Sequence, residues 1–322
     1  MRGNLSANKA WAVALTRVEK LIHGRLTSDD AFVGRFLSHA SRGKGKRLRA
    51  RLVLLSAAAV GSTSARAERL ASALEILHLA TLAHDDVIDN AADRRHRPSL
   101  NARFGTETAV LVGDLMFARA MNLLIDDMPT QLNRIIARAV TQVCLGEIQE
   151  TKFLNKPNLH PAHYLEMIGN KTASLLSACC AGGAVVGKSA PRFSRALAEY
   201  GRNFGMAFQI QDDLLDITGE KARVGKPVGL DLREGRVTLP VIYGLRSARR
   251  QVRQAVLREI RRPAPRQRVL GQILETCGVL DRCRSLARAY AEKAGKALKP
   301  LPGSEAKQEL LNLAAFAVER DH

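Results

Sequence analysis

Aromatic residues are scarce in this chain: Phe, Trp and Tyr make up 4% of its 322 residues, while 46% are hydrophobic. Its interior must therefore be aliphatic, and the abundant Ala and Leu are both strong helix formers. No run of eighteen or more apolar residues occurs, which argues against a membrane span. Residues Met1 to Lys20 mix charges and hold no uninterrupted apolar stretch of signal h-region length, so a secretory signal is not expected. The five cysteines, Cys144, Cys179, Cys180, Cys277 and Cys283, show no paired metal-ligand spacing. An odd number without extracellular signals points to reduced thiols and a cytoplasmic location. The vicinal Cys179-Cys180 pair lies in a small-residue run and reads as packing, since buried cysteine behaves as a small hydrophobe. Proline is missing before Pro98, and strand-like alternation bounded by Asn-Gly or Asp-Gly turns is missing throughout.

What remains is helical. Leu70, Leu74, Leu77 and Thr81 fall at three- and four-residue steps, and the later prolines mostly separate helix-length segments. The pattern predicts an all-α protein of about ten or more helices. No composition break divides it, so one domain covering residues 1–322 is expected. The net charge of +19 suits a polyanionic partner: nucleic acid, anionic lipid or a phosphorylated substrate. Much of the excess lies between Arg246 and Arg268 and reads as a solvated helix face ended by Pro263 and Pro265. That stretch has no aromatic residue for base stacking, which weighs against nucleic acid.

Acidic residues stand out against this background because they interrupt apolar helical sequence twice in the same form. Asp85-Asp86-Val87-Ile88-Asp89 and Asp212-Asp213-Leu214-Leu215-Asp216 are two copies of one pentad. Carboxylates are rarely buried without a partner. In a helix the first and last Asp of each pentad point the same way, one turn apart. Hard oxygen ligands on one face suit magnesium, which is held by a few carboxylates and completed by substrate phosphates. Cations accompany each pentad. Arg94, Arg95 and Arg97 follow the first, and His78 lies two helical turns before it. Lys226 and Arg236 follow the second, with Asp231 between them, and Lys171-Thr172 opens the small-residue helix Ala173 to Val186. A basic loop ending in Lys46 and Arg49 has the composition of an anion site at a helix N-terminus.

These residues together resemble the trans-isoprenyl diphosphate synthases, and within them the long-chain polyprenyl group typified by octaprenyl diphosphate synthase. The family pattern G-G-K-R-x-R-P is met by Lys44 to Ala50, and D-D-x-x-D followed by R-R by Asp85 to Asp89 with Arg94-Arg95. The K-T pair is met by Lys171-Thr172, and F-Q-x-x-D-D-x-x-D by Phe208 to Asp216. The likeness runs from about residue 15 to the C-terminus. Four positions depart from the pattern: Lys44 for the first glycine, Ala50 for the proline, His96 for a glycine and Arg236 for a lysine. Arginine is a fork and lysine a point charge, so Arg236 would hold a phosphate in a different pose.

The resemblance implies an isoprenoid synthase fold, a helical bundle around a central cavity, and a head-to-tail condensation of isopentenyl diphosphate onto an allylic diphosphate. It implies Mg2+, about three ions per active site, held directly by Asp85, Asp89 and Asp212 and partly through water by Asp86, Asp213 and Asp216. Lys46, Arg49, His78 and Arg95 would bind isopentenyl diphosphate, and Arg94, Lys171, Lys226 and Arg236 the allylic diphosphate. Lys171, Thr172, Gln209 and Lys226 would serve catalysis. A homodimer is expected, and the positive charge suits peripheral contact with an anionic membrane. Family members that stop at two or three isoprene units carry bulky aromatics where this chain has Ala80 and Thr81, so a long product is expected. Leu77, Phe117 and Met121 are candidates for a deeper floor to the product tunnel.

Several rivals fit less well. A farnesyl diphosphate synthase would need a bulkier floor, and a geranylgeranyl diphosphate synthase is the other alternative within the same family. A non-catalytic subunit of a heteromeric synthase should have decayed acidic motifs, and both are complete here. A terpene cyclase would not need a second diphosphate site.

Overall fold

The computed structural model describes residues 4–42, 45, 47–62, 64–94, 97–126, 128–219 and 229–319, with side chains from residue 13 onward. The fold is all-α, as the apolar spacing requires. The first half of the chain forms α1 (Asn4–Arg25), α2 (Ala31–Ser41), α3 (Leu48–Ala59), α4 (Ala65–Ile88), α5 (Leu100–Phe104) and α6 (Thr106–Ile125). Then come α7 (Thr130–Phe153), α8 (Pro161–Ile168), α9 (Ser174–Val186) and α10 (Pro191–Thr218). The remainder is α11 (Leu230–Arg233), α12 (Leu239–Leu245), α13 (Arg250–Ile260), α14 (Gln267–Thr276), α15 (Val279–Ala297) and α16 (Glu305–Glu319). Among the described residues the strand pairing is confined to two residues a side, Asp93–Arg94 antiparallel with Arg97–Pro98, shortly after the first acidic pentad. It is too short to leave an alternation in the sequence.

Helix boundaries follow local chemistry. Asp30, Ser64 and Ser99 cap α2, α4 and α5 by accepting hydrogen bonds from first-turn amides. Pro161 opens α8 and Pro191 opens α10, positions where a missing N–H costs nothing.

The chain forms two compact units, each drawn from several segments. The first comprises residues 1–136, 179–197 and 300–309, and the second 137–178, 198–299 and 310–322. In the first unit α4 packs lengthwise on α6 and also against α1 and α3. Leu70, Leu74 and Leu77 are buried on it, as their spacing predicts, and Thr81 is half-buried. Small residues set the closest approaches. A Cβ on Gly183 would come within 2.4 Å of the Val53 carbonyl oxygen, so only glycine fits there. Cys179 and Cys180 are buried in the same region, and burial pushes the Cys180 thiol up to about 12. Both behave as packing residues, as expected.

The second unit has its own core, in which Ile210, Leu214 and Ile217 of α10 belong with Tyr164, Met167 and Ile168 of α8 and with Ile242, Leu274 and Leu280. The arginine-rich stretch runs over the outside of this unit. Arg246, Arg249, Arg250, Arg258 and Arg261 are exposed, and the buried Glu259 pairs with Arg266. That matches the solvated face read from the sequence.

Among the described residues α6 alone is long and apolar enough, by length and composition, to cross a membrane. It nevertheless carries Asp114 and Arg119 and packs one face on α4. Its outer face exposes Leu111, Phe117 and Ile125. Phe117 therefore departs from its expected place in a tunnel floor. It stands one position past the buried Met116, which turns it by about 100° toward the outside.

Candidate active site

The first pentad ends α4, with Asp89 as its C-cap. Its three carboxylates divide. Asp85 and Asp89 are half-buried, while Asp86 is 4% exposed and accepts a hydrogen bond from Arg94 Nε at 2.6 Å. Burial raises the Asp86 carboxyl above its ordinary range against the opposing pull of Arg94. Two expectations shift here: Asp86 is turned into the protein, and Arg94 is held by it.

His78 lies on the same side of α4 as Asp85 and Asp89, given their spacing, and is half-buried. Arg49 stands on the first turn of α3 and is half-buried as well. Ala80 and Leu77 are buried, consistent with positions beneath the acidic end of the helix. Lys44, Lys46, Arg95, His96 and Lys226 lie outside the described residues.

The second pentad lies near the end of α10 and divides in the same way. Asp212 and Asp216 are half-buried, and Asp213 is 1% exposed. Both oxygens of Asp213 are engaged, Oδ2 by Tyr164 Oη at 2.6 Å and Oδ1 by Gln209 Nε2 at 3.2 Å. Burial pushes its carboxyl well up against these donors. Asp213 is thus tied to α8 through Tyr164 and, one turn back on α10, to Gln209. Gln209 also accepts from Thr172 Oγ1 at 2.9 Å, which joins the predicted Thr172 and Gln209 in one chain.

Lys171 and Thr172 do not begin α9, as the sequence suggested. They lie in a π-helical turn, Gly169–Ala173, that joins α8 to α9. Such turns are rare and frequent at functional sites. Here α7 presses against it: a Cβ on Gly146 would come within 2.4 Å of the Lys171 amide nitrogen. From the same helix, Glu150 and Glu147 accept from Lys171 Nζ at 2.6 and 2.9 Å. Burial disfavours the Lys171 ammonium, but these two carboxylates outweigh it and raise its pKa. Arg236 stands among acids too, 3.3 Å from Glu234 and 3.8 Å from both Asp231 and Glu150.

Glu147, Glu150 and Tyr164 were not singled out from the sequence. Glu147 and Glu150 carried a faint signal, two acids one turn apart on a helix otherwise apolar on that side. Tyr164 had less, although a buried tyrosine usually finds a partner for its hydroxyl.

Among the described residues no three His, Cys, Asp or Glu side chains form a self-sufficient metal site. Within each pentad the half-buried pair does suit a cation completed by water or phosphate oxygen. Asp216 Oδ1 accepts from the Leu230 amide at 3.1 Å, but its buried Oδ2 has no hydrogen-bond partner among the described residues. A buried, unsatisfied carboxylate oxygen is what a divalent ion would complete.

Comparison with known proteins agrees with this chemistry. The family model for polyprenyl synthetase matches residues 30–277. An all-trans-nonaprenyl-diphosphate synthase (geranyl-diphosphate specific) of Rhodobacter capsulatus is 35% identical over 306 residues, 94% of each chain. Octaprenyl diphosphate synthase of Escherichia coli K12 is 33% identical over 317 residues, 98% of each. Among solved structures, a polyprenyl synthase from Caulobacter crescentus CB15, complexed with calcium and isoprenyl diphosphate, superposes with a TM-score of 0.91 at 35% identity. It covers 98% of this chain and 97% of its own.

One acid makes the site sensitive to pH. The Asp231 carboxyl is raised from 3.8 to about 7, first by burial and then by the charge of Asp216, with Arg236 opposing. The native state therefore holds an extra proton between about pH 4 and 7, and stability falls as pH rises through that window. In the metal-free protein, Asp231→Asn is expected to raise Tm at pH 8 and to leave it nearly unchanged at pH 4, as measured by thermal denaturation. Equal shifts at both pH values would contradict this account.

Proposed function

The chain belongs to the polyprenyl synthetase family and is a trans-prenyltransferase, and from that premise we propose how its residues carry out the reaction. It condenses isopentenyl diphosphate head-to-tail onto an allylic diphosphate to make a long-chain polyprenyl diphosphate. The observation that carries the site assignment is the shared division of the two pentads. In each, the first and last carboxylates are half-buried, and the middle one is buried and tied to other side chains. We assign Asp85, Asp89, Asp212 and Asp216 to magnesium, and Asp86 and Asp213 to holding Arg94, Tyr164 and Gln209. The Caulobacter relative, with its calcium and isoprenyl diphosphate, supports a divalent cation.

The difficult step is breaking the allylic carbon–oxygen bond, which leaves a carbocation and a diphosphate anion. When bound, magnesium neutralises charge that develops on the leaving oxygens. Lys171, Arg236 and Arg94 offer fixed positive charge to the same diphosphate, to which Lys226 is also assigned. Because Glu147 and Glu150 hold Lys171 protonated and aimed, it needs no reorganisation as that charge appears. Gln209, held by Asp213, and Thr172, held by Gln209, flank the cation. The π electrons of isopentenyl diphosphate form the new carbon–carbon bond. A proton then leaves the adjacent carbon for the released diphosphate, so no separate protein base is required. Lys46, Arg49, His78 and Arg95 bind the isopentenyl diphosphate.

The exposed apolar face of α6 supports a homodimer, since a second copy would cover Leu111, Phe117 and Ile125. In solution the protein is expected at about twice its chain mass of 35.2 kDa by light scattering. A concentration-independent monomer would exclude this.

Incubation with magnesium, isopentenyl diphosphate and each allylic primer should yield long polyprenyl diphosphates by mass spectrometry. Asp85→Ala and Asp212→Ala, still folded, should each abolish turnover. No elongation from any primer would overturn the reading, and products of three or four isoprene units would place the chain with the shorter synthases.

Ala80 is 1% exposed, five residues before the first metal carboxylate, which suits a wall of the product tunnel. Ala80→Phe or Thr81→Phe is expected to shorten the product with turnover retained. An unchanged product distribution in both would remove these positions from the tunnel.

A further inference from the structure

Glu75 is an acid for which the reaction has no task, yet it is 3% exposed in the middle of α4. Withdrawing a carboxylate from water is unfavourable unless strong partners compensate, so its partners indicate what it is for. Its Oε1 accepts from the backbone N–H of Ala50 at 3.0 Å, and its Oε2 stands 3.8 Å from Arg47 Nη1. Both partners belong to the start of α3.

Ala50 is the third residue of α3, and its N–H is one of the four that a helix cannot satisfy internally. The N-cap residue is Arg47, which makes no side-chain cap. Glu75 therefore supplies from another helix the acceptor that the local sequence lacks, and places a negative charge where the helix dipole favours one. The proline of the family pattern has no N–H to donate, so this bond exists because Ala stands at position 50.

Arg47 is also unusual. Its backbone is left-handed, with φ 46° and ψ 46°, a region that side-chain-bearing residues rarely enter. Its guanidinium is gripped in bidentate fashion by Glu19, at 2.6 and 2.9 Å, with Glu75 on its inner side. The segment around it is strongly basic: Lys44, Lys46, Arg47 and Arg49 occur within six residues. Mutual repulsion would spread these cations apart unless the backbone between them were fixed.

We infer that Glu75 is a positioning residue for isopentenyl diphosphate: through Ala50 and Arg47 it fixes the left-handed turn that pre-sets Arg49 on the first turn of α3. This rests on the assignment of Arg49 and Lys46 to that substrate. Glu75 touches neither substrate, and its effect is on binding rather than on bond breaking. Pre-organisation of this kind lowers the cost of ordering a site, so its loss raises KM and leaves kcat in place.

The test compares Glu75→Gln with Arg49→Ala in the full-length enzyme, measuring kcat, KM for each substrate and Tm. Glu75→Gln keeps the shape and removes the charge. It is expected to raise KM for isopentenyl diphosphate roughly ten-fold, the scale of one lost charge-assisted contact, with kcat and the allylic KM within about two-fold of wild type. Arg49→Ala should raise the same KM. If Arg49→Ala does so and Glu75→Gln does not, the inference is wrong and the site assignment stands. If Glu75→Gln impairs both substrates and kcat alike, Glu75 is a general core support and the inference is again wrong. If Arg49→Ala leaves KM unchanged, the site assignment fails and takes the inference with it. Should Glu75→Gln not fold, the exposed Glu19→Gln loosens Arg47 from its other side. A smaller rise confined to isopentenyl diphosphate is then expected, and no rise would overturn the proposal.

Discussion

A carboxylate removed from water among aliphatic helices must be given a proton, a cation or a set of donors. That requirement organises this molecule more than any other. Asp86 holds Arg94, Asp213 holds Tyr164 and Gln209, Glu147 and Glu150 hold Lys171, and Glu75 holds the start of α3. In each case the acid is the fixed point and the functional group is what it fixes. With aromatics at 4%, the core has few large rigid side chains to orient its polar groups, and buried acids take over that work.

The same arrangement separates two kinds of aspartate that look alike in sequence. A pentad offers three carboxylates, but a helix cannot point all three one way. The first and last share a face and the second lies about 100° around the cylinder. What the second one meets there is protein. The pair on the shared face stays half-buried, and the hidden one is bonded to side chains of the protein. Lys171 and Arg236 extend the pattern with the signs reversed, being cations whose aim is set by acids from α7 and from the segment Asp231 to Glu234.

Much of this was legible in the sequence. The helical class followed from Leu70, Leu74 and Leu77 and from where the prolines stand, and the acidic and basic motifs identified the family. Arg246 to Arg268 read correctly as a solvated face. The inward partners were not legible, because Tyr164 and Asp213 are 49 residues apart and nothing local links them. Phe117 illustrates a different limit. Its apolar character was plain, but whether it faced inward depended on the rotation of α6, which one residue decides. The hairpin after the first pentad was too short to register, and the π-turn at Lys171 leaves no mark in composition.

That turn has a consequence for the phase of the whole helix. Tyr164 and Thr172 are eight residues apart, which in an unbroken α-helix leaves them about 80° out of alignment. A π-turn carries roughly one residue more than an α-turn, so it takes back most of that angle. The two side chains come onto a common line and meet Asp213 and Gln209, themselves one turn apart on α10. The helix thus behaves like a vernier, with two scales of slightly different pitch brought into coincidence at one mark. Removing Asn170 alone would leave every named side chain present and the coincidence lost.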